Sequence, residues 1–390
     1  MALPSPDPSE QAYSDTLKAI LHKQITHSGG WIPFTDYMET VLYTPETGYY
    51  SGGAAKFGAT GDFVTAPEIS PLFGQTLAQQ VAPILNTIDQ SSILEFGAGS
   101  GKLAIDLLRT LETLNSLPQH YYILDLSADL QQRQQAIIEQ HIPHLASRIS
   151  WLSTLPKQFN GLILANEVLD AMPVHLVVWQ NGTPLERGVI WKDQELVWQD
   201  RPLGMGELLD AARQLPPADQ FSHPLYISEI SLANRHFIQS LAILLQRGAI
   251  LLIDYGFGQN EYYHPQRHQG TLMCHYRHHA HDDPFFLPGL QDITSHVDFS
   301  TVARTAMNAG LQLAGYTTQA HFLINCGITD LLARTPADQP SSYLPLVSQV
   351  QRLVSPAEMG ELFKVMILSK DIDIDAVSYG FTRGNLQRLL

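Results

Sequence analysis

Three glycines at alternate positions, Gly97, Gly99 and Gly101, separate a short apolar run from a helix-spaced one in "SSILEFGAGSGKLAIDLL", residues 91–108. Glycine takes positive φ without steric cost, and a glycine turn at a helix N-terminus lets a ligand approach the backbone. The dinucleotide fingerprint G-x-G-x-x-G would place its third glycine at position 102, which is Lys102, so a pyrophosphate-containing ligand fits poorly. A later apolar run, "GLILANEVLDAMPVH", ends in Asn166 and Glu167, with Asp170 close behind. If the chain turned helically after Asn166, Glu167 and Asp170 would share a face, and two carboxylates can grip one guanidinium. The same residues also suit a plain strand-end amide followed by helix-capping acids.

These residues need elements to position them. From residue 92 the apolar runs "SILEF", "YYILDL", "ISWL" and "GLILAN" alternate with helix-spaced segments such as "KLAIDLLRTLE" and "ADLQQRQQAIIEQH". That alternation predicts an α/β fold: a mostly parallel, doubly wound sheet with ligands outside the carboxyl ends of its strands. Ahead of it, residues 14–26 and 34–43 are helically spaced, and Ser70 with Pro71 predicts a capped helix whose apolar face carries Leu72, Leu77, Val81 and Ile84. The expected organisation is a loose tail over 1–13, an N-terminal helical region over 14–90 and a main domain over 91–390. The loop carrying Asp62, Thr65 and Glu68 lies in the helical region. Within the main domain "WQNGTPLERGVIWKDQELVWQD" predicts a β-hairpin in an insertion over 175–224. Residues 257–299 read as a long irregular segment, of the kind that serves as a lid or substrate loop. The chain closes with the strand-like "LQLAGYTTQAHFLIN" and a last strand, "LFKVMILSK".

Composition narrows the function classes. Lys plus Arg is 23 against 38 for Asp plus Glu, a formal charge of −15 in 390 residues, which disfavours nucleic acid as a partner. Cys274 and Cys326 are too few for a disulfide framework and fit a reducing compartment. The start, "MALPSPDPSE", has no secretory pattern, and Arg247 and Gly248 interrupt the longest apolar stretch short of bilayer length. A protein without membrane insertion, located in the cytoplasm, is the expectation. In "CHYRHHAHDD" the residues Cys274, His275, His278, His279, His281 and Asp282 match no standard zinc spacing. No metal is expected there. The segment reads instead as a polar loop lining a substrate site, with Tyr276, Asp292, His296 and Asp298 as contacts.

The spacing E-x-G-x-G-x-G from Glu95 to Gly101 resembles the turn of class I methyltransferases that use S-adenosylmethionine. There the turn faces the amino-acid part of the cofactor, and an acid at the next strand end takes the ribose hydroxyls; Asp125 in "YYILDLS" stands at that place. Together with "GDFVTAPEISPLFG", "ANEVLDAMPVH", "IDYGFG", "GTLMCHYRHHAHDDPFFLPGLQDITSHVDF" and "LFKVMIL", the chain resembles the MidA family of methyltransferase-like proteins, from about residue 14 to 370. The resemblance implies a Rossmann-like class I methyltransferase fold and S-adenosyl-L-methionine as cofactor. Glu95, Gly97, Gly99, Gly101, Asp125 and Asn166 would hold the cofactor, and Asp62 and Thr65 would close over it. Mitochondrial members are assembly factors for respiratory complex I and methylate an arginine on one of its subunits, which implies an arginine of a protein substrate as acceptor. Glu167 and Asp170 would orient it, with Glu68 and Glu229 as further catalytic candidates. Two other readings stand beside this one: an assembly or binding factor with the same fold and little turnover, and a small-molecule methyltransferase.

Overall fold

The run Ser92–Phe96 is buried at every position, as a central strand of a parallel sheet covered on both faces must be. The computed structural model that shows this describes residues 3–52, 64–125, 127–180, 183–215 and 225–390, with the Ile374 side chain left out. The chain forms two units. The larger comprises Val64–Leu169, Phe237–Gly258 and Val297–Leu390; the smaller comprises Met1–Phe63, Asp170–His236 and Gln259–His296.

In the larger unit the strands lie in the order 312–318, 363–370, 245–257, 159–166, 92–96, 121–124, 149–152. The five from 245–257 to 149–152 are parallel, and Phe363–Lys370 is antiparallel to both its neighbours. Alternate residues face opposite sides of a sheet. Ile93, Leu162, Leu164, Leu251 and Ile253 accordingly belong to one core, with helices Pro71–Asn86 and Lys102–Thr113. Leu94, Ile163, Ala165, Ile250 and Leu252 belong to the other, with helices Leu232–Leu244 and Phe299–Asn308. The expected doubly wound class I methyltransferase sheet is therefore present. Helix Lys102–Thr113 buries Leu103, Leu107, Leu108 and Leu111 at helical spacing, each stabilising the fold by roughly 1.5–3 kcal/mol.

The smaller unit is built on an antiparallel sheet in which 32–33, 183–192, 175–180 and 225–230 are neighbours in that order, while 195–202 also pairs with 183–192. A second sheet sets 273–276 between 279–281 and 292–294. Helices Pro8–His27 and Phe34–Tyr43 supply Leu17, Leu21, Ile25, Phe34, Met38 and Val41 to a core shared with Val174, Val189, Cys274 and Ile293.

Several boundaries differ from expectation, each for a local reason. Residues 8–13, expected in the loose tail, are helical because Asp7 caps the helix: its Oδ1 accepts from Ser9 N (2.8 Å) and Glu10 N (2.9 Å), and Glu10 Oε2 accepts from Asp7 N (2.8 Å). The expected region 14–90 divides at Val64, whose side of the chain packs with the large sheet. Among the described residues, the expected insertion over 175–224 holds strands 175–180, 183–192 and 195–202 and helix Glu207–Arg213, more than the single expected hairpin. The expected irregular segment 257–299 contains the three-stranded sheet. "LQLAGYTTQAHFLIN" splits into strand Gln312–Thr318 and helix Gln319–Asn325, because Thr318 Oγ1 caps the helix at His321 N (3.3 Å).

Candidate functional site

Register decides which side chains meet at the carboxyl edge of the large sheet. Phe96 lies opposite Leu124 on one side and Ala165 on the other. Gly97, Asp125 and Asn166 therefore leave the sheet at one level, where the strand order reverses and ligands of open α/β sheets sit. Gly97, Gly99 and Gly101 have φ of +61°, +54° and +83°, conformations costing about 1–2 kcal/mol for a residue with a Cβ. Gly101 is the N-cap of helix Lys102–Thr113. A Cβ on Gly99 would meet no atom within 4 Å among the described residues.

Asp125, half-buried, accepts from Ser127 N through Oδ1 (3.1 Å) and from Gln134 Nε2 through Oδ2 (3.0 Å). The same Gln134 amide donates to the Gly99 carbonyl (2.9 Å), and its Oε1 accepts from Trp151 Nε1 (2.7 Å). A carboxylate at this strand end is of the type that accepts from ribose hydroxyls. The Asn166 Oδ1 atom is buried with no hydrogen-bond partner among the described residues, an acceptor suited to a ligand's N–H or O–H. These residues fit the expected cofactor.

Glu95 is set deeper than a direct ligand contact. It is buried within the strand, and its Oε2 accepts from Tyr121 Oη (2.8 Å). Burial pushes its carboxyl up to about 7, against the lowering hydrogen bond from Tyr121.

The chain beyond Asn166 does not turn helically as expected. Glu167 takes φ +54°, its N–H donates to Ile253 O (2.8 Å), and residues 167–172 form bends and a turn. Fully buried Asp254 fastens this turn: its Oδ2 accepts from Val168 N (3.2 Å) and Leu169 N (2.9 Å). Glu167 Oε1 accepts from Asn166 Nδ2 (3.1 Å) and Ala66 N (3.4 Å), the latter at the start of helix Ala66–Ile69, whose N-cap is Thr65. Glu68, on that helix, accepts from Ser100 Oγ and pairs with Lys102 Nζ (2.9 Å). Glu68 thus ties the short helix to the glycine turn, which replaces its expected catalytic role with a positioning one. Asp62 lies outside the described residues.

Other candidates belong to the smaller unit. Glu229 is buried and accepts from Thr271 N (2.8 Å), Thr271 Oγ1 (3.0 Å), Leu272 N (3.0 Å) and Tyr262 Oη (3.3 Å). Burial raises its pKa, and the Thr271 and Leu272 donors oppose the rise. Its oxygens are occupied by the chain's own donors, so it anchors the 270–272 segment rather than serving catalysis. Tyr276 is buried edge-on to Phe286 (5.4 Å) and belongs to the packing, not to an open loop. His296 N donates to Thr271 Oγ1 (3.0 Å), and Asp292 Oδ1 accepts from Tyr50 Oη (2.8 Å). Asp170 O accepts from Ser295 N (3.0 Å). Asp298, in the larger unit, caps helix Phe299–Asn308 through Thr301 N (3.1 Å) and Thr301 Oγ1 (2.6 Å), which accounts for it without a substrate. Among the described residues no group of three His, Cys, Asp or Glu side chains is arranged to hold a metal ion. No described helix is long and apolar enough to cross a membrane.

Sequence reasoning missed Gln134, Asp254 and Tyr121. The "IDYG" strand end was a visible signal for Asp254, whereas nothing in the polar helix "ADLQQRQQAIIEQH" distinguishes Gln134 from Gln131, Gln132 or Gln135.

Comparison with known proteins agrees with this geometry. A superfamily member from Burkholderia thailandensis, solved with S-adenosyl-homocysteine bound, matches with a TM-score of 0.93, 48% identity and full coverage of both chains; a native crystal structure of a superfamily protein from the same organism matches with a TM-score of 0.91 and 48% identity. Among curated relatives, the mitochondrial protein arginine methyltransferase NDUFAF7 of Bos taurus is 29% identical over 92% of this chain and 85% of its own. The Drosophila melanogaster homolog is 27% identical over 94% and 89%. The curated relatives are named mitochondrial proteins, which overturns the cytoplasmic expectation. Residues 76–317 match the family described as "Putative S-adenosyl-L-methionine-dependent methyltransferase". With that match over more than half its length, a glycine turn level with Asp125 and Asn166, and the resemblance to MidA proteins borne out, the chain belongs to this family and is an S-adenosyl-L-methionine-dependent methyltransferase.

Proposed function

We propose that this methyltransferase methylates an arginine side chain of a protein. The observation that carries the reading is the setting of Glu167, a carboxylate at the edge where the glycine turn leaves the sheet, on a residue held at φ +54°. Such backbone costs of order 1–3 kcal/mol and persists where the surroundings over-determine it; here Asp254 and the Ile253 carbonyl do so. The curated relatives, named protein arginine methyltransferases, support arginine as the acceptor.

S-adenosylmethionine, when bound, supplies an electrophilic methyl group. Gly97, Gly99, Gly101, Asp125 and Asn166 would hold it. The remaining task is to place an acceptor nitrogen about 3 Å from the methyl carbon and to exclude water. A guanidinium is a poor nucleophile because its charge is delocalised and its pKa exceeds about 12. Glu167 hydrogen-bonded to one edge of the guanidinium draws the positive charge toward that edge, and the opposite nitrogen is left better able to attack. The proton released from the methylated nitrogen passes to a carboxylate or to solvent.

The test is transfer of labelled methyl from the cofactor into lysate protein, followed by hydrolysis and amino-acid analysis. Label in methylarginine is expected. Label confined to the low-mass fraction would replace the reading with a small-molecule methyltransferase, and no label with intact cofactor binding would replace it with a binding factor. Glu167→Gln is expected to keep affinity for S-adenosylhomocysteine and lose roughly 10²-fold or more in transfer.

A further inference from the structure

Glu68 forms an ion pair at the glycine turn, and no step above gives that pair a chemical task. Its Oε1 accepts from Ser100 Oγ, and its Oε2 accepts from Lys102 Nζ (2.9 Å). The helix that carries it is fastened on the other side as well. There Ala66 N donates to Glu167 Oε1 (3.4 Å), and Asn166 Nδ2 donates to the same oxygen (3.1 Å). A continuous series of contacts thus runs from the end of strand Phe159–Asn166, by way of Ser100, to the first residue of helix Lys102–Thr113. Every member belongs to the larger unit. The Glu68 and Lys102 side chains are 16% and 47% exposed. A water-screened ion pair adds little to stability, so a ligand that brings both charges replaces it at small cost.

We infer that Lys102 and Glu68 select the cofactor by its amino-acid end, Lys102 taking the carboxylate and Glu68 the ammonium. S-adenosylmethionine carries adenosine on one side of its sulfur and an amino-acid zwitterion on the other. With the ribose at Asp125, past the end of strand Tyr121–Leu124, the arm bearing the zwitterion is left for the glycine turn one strand over. Backbone N–H groups at a helix start favour a carboxylate there, and Lys102 is the first residue of that helix. The protein's own ion pair is a template for the two ligand charges, and each replaces one partner by a charge-assisted hydrogen bond. An adenosine derivative without the zwitterion gains nothing from either residue, which makes the pair a specificity device. The inference rests on the cofactor and is independent of which acceptor takes the methyl group.

The test is calorimetry of wild type, Lys102→Met and Glu68→Gln with four ligands. They are S-adenosylhomocysteine, its decarboxylated analogue, its deaminated analogue, and 5′-methylthioadenosine, which lacks the whole amino-acid end. Lys102→Met is expected to weaken the two ligands that keep a carboxylate about tenfold or more, and to leave the other two unchanged. Glu68→Gln, which still accepts from Ser100, is expected to weaken the two that keep an ammonium by a similar factor and to spare the others. Unchanged affinity for 5′-methylthioadenosine also reports that each variant folds. A purely structural role for the pair would weaken all four ligands alike, and that result overturns the inference. Wild-type affinity for S-adenosylhomocysteine in either variant, or losses that follow the opposite charge, overturns that residue's assignment. Methylarginine analysis reads the acceptor separately, so failure of one reading leaves the other standing.

Discussion

Gln134 and Asp125 are joined at 3.0 Å through Nε2 and Oδ2, and the same amide reaches the Gly99 carbonyl at 2.9 Å. One fully buried side chain thereby sets the separation between the glycine turn and the strand-end acid, the two parts proposed to hold opposite ends of one cofactor. Gln134→Leu removes both bonds and strands the Trp151 donor. Each lost buried partner costs about 1–3 kcal/mol, and calorimetry with S-adenosylhomocysteine should show affinity reduced about tenfold or more. Unchanged affinity would mean that the turn and Asp125 hold their places without it.

Gly99→Ala tests where the ligand lies. The strain of a Cβ at φ +54° is about 1–2 kcal/mol, and the Cβ meets no described protein atom within 4 Å. Denaturant unfolding should therefore show only that modest loss, while cofactor affinity falls by considerably more. Parallel losses of equal size would place the cofactor away from Gly99.

Glu95 makes stability depend on pH. Its carboxyl is raised from 4.5 to about 7 by burial, against the Tyr121 hydrogen bond, so the folded state holds a proton that the unfolded state releases. Its stabilising contribution is complete below about pH 4.5 and is lost as pH rises through about 7. The full span is on the order of 3 kcal/mol. Urea unfolding from pH 5 to 8.5 should show this decline in the wild type and its absence in Glu95→Gln, whose amide oxygen can still accept from Tyr121. Parallel pH profiles for the two proteins would refute it.

Glu229→Gln should destabilise without touching the cofactor. Its oxygens accept from two backbone N–H groups and two hydroxyls, and the substituted amide would turn a donor toward donors. A loss of about 2–4 kcal/mol is expected in chemical unfolding, with unchanged affinity for S-adenosylhomocysteine. A stable variant with impaired methyl transfer would restore Glu229 to the catalytic candidates.

What was legible in the chain was whatever repeats at short range. The spacing of Leu103, Leu107 and Leu111, the apolar run Ser92–Phe96 and the three glycines each report a local conformation, and their order implies the parallel sheet, while the cofactor is what the resemblance to methyltransferases adds. The capping box at Asp7 and Glu10 was equally local and was read past, because the prolines around it suggested a loose tail. The helical turn expected after Asn166 fails for the opposite reason: Glu167 is held at φ +54° with its N–H on Ile253 O, and buried Asp254, 85 residues from Leu169 along the chain, fixes the turn that follows.

Residue types and periods along the chain suffice to assign a doubly wound parallel sheet and to point at Gly97, Gly99 and Gly101, and the family resemblance adds the methyltransferase and Asp125. The tertiary structure alone separates the acids. Glu229, Glu68 and Asp298 are taken up by donors of their own chain; Glu167 is held at positive φ; Asp292 accepts from Tyr50, which stacks on Tyr43. A carboxylate's role depends on which donors and charges surround it, and those arrive from segments that no short-range pattern connects.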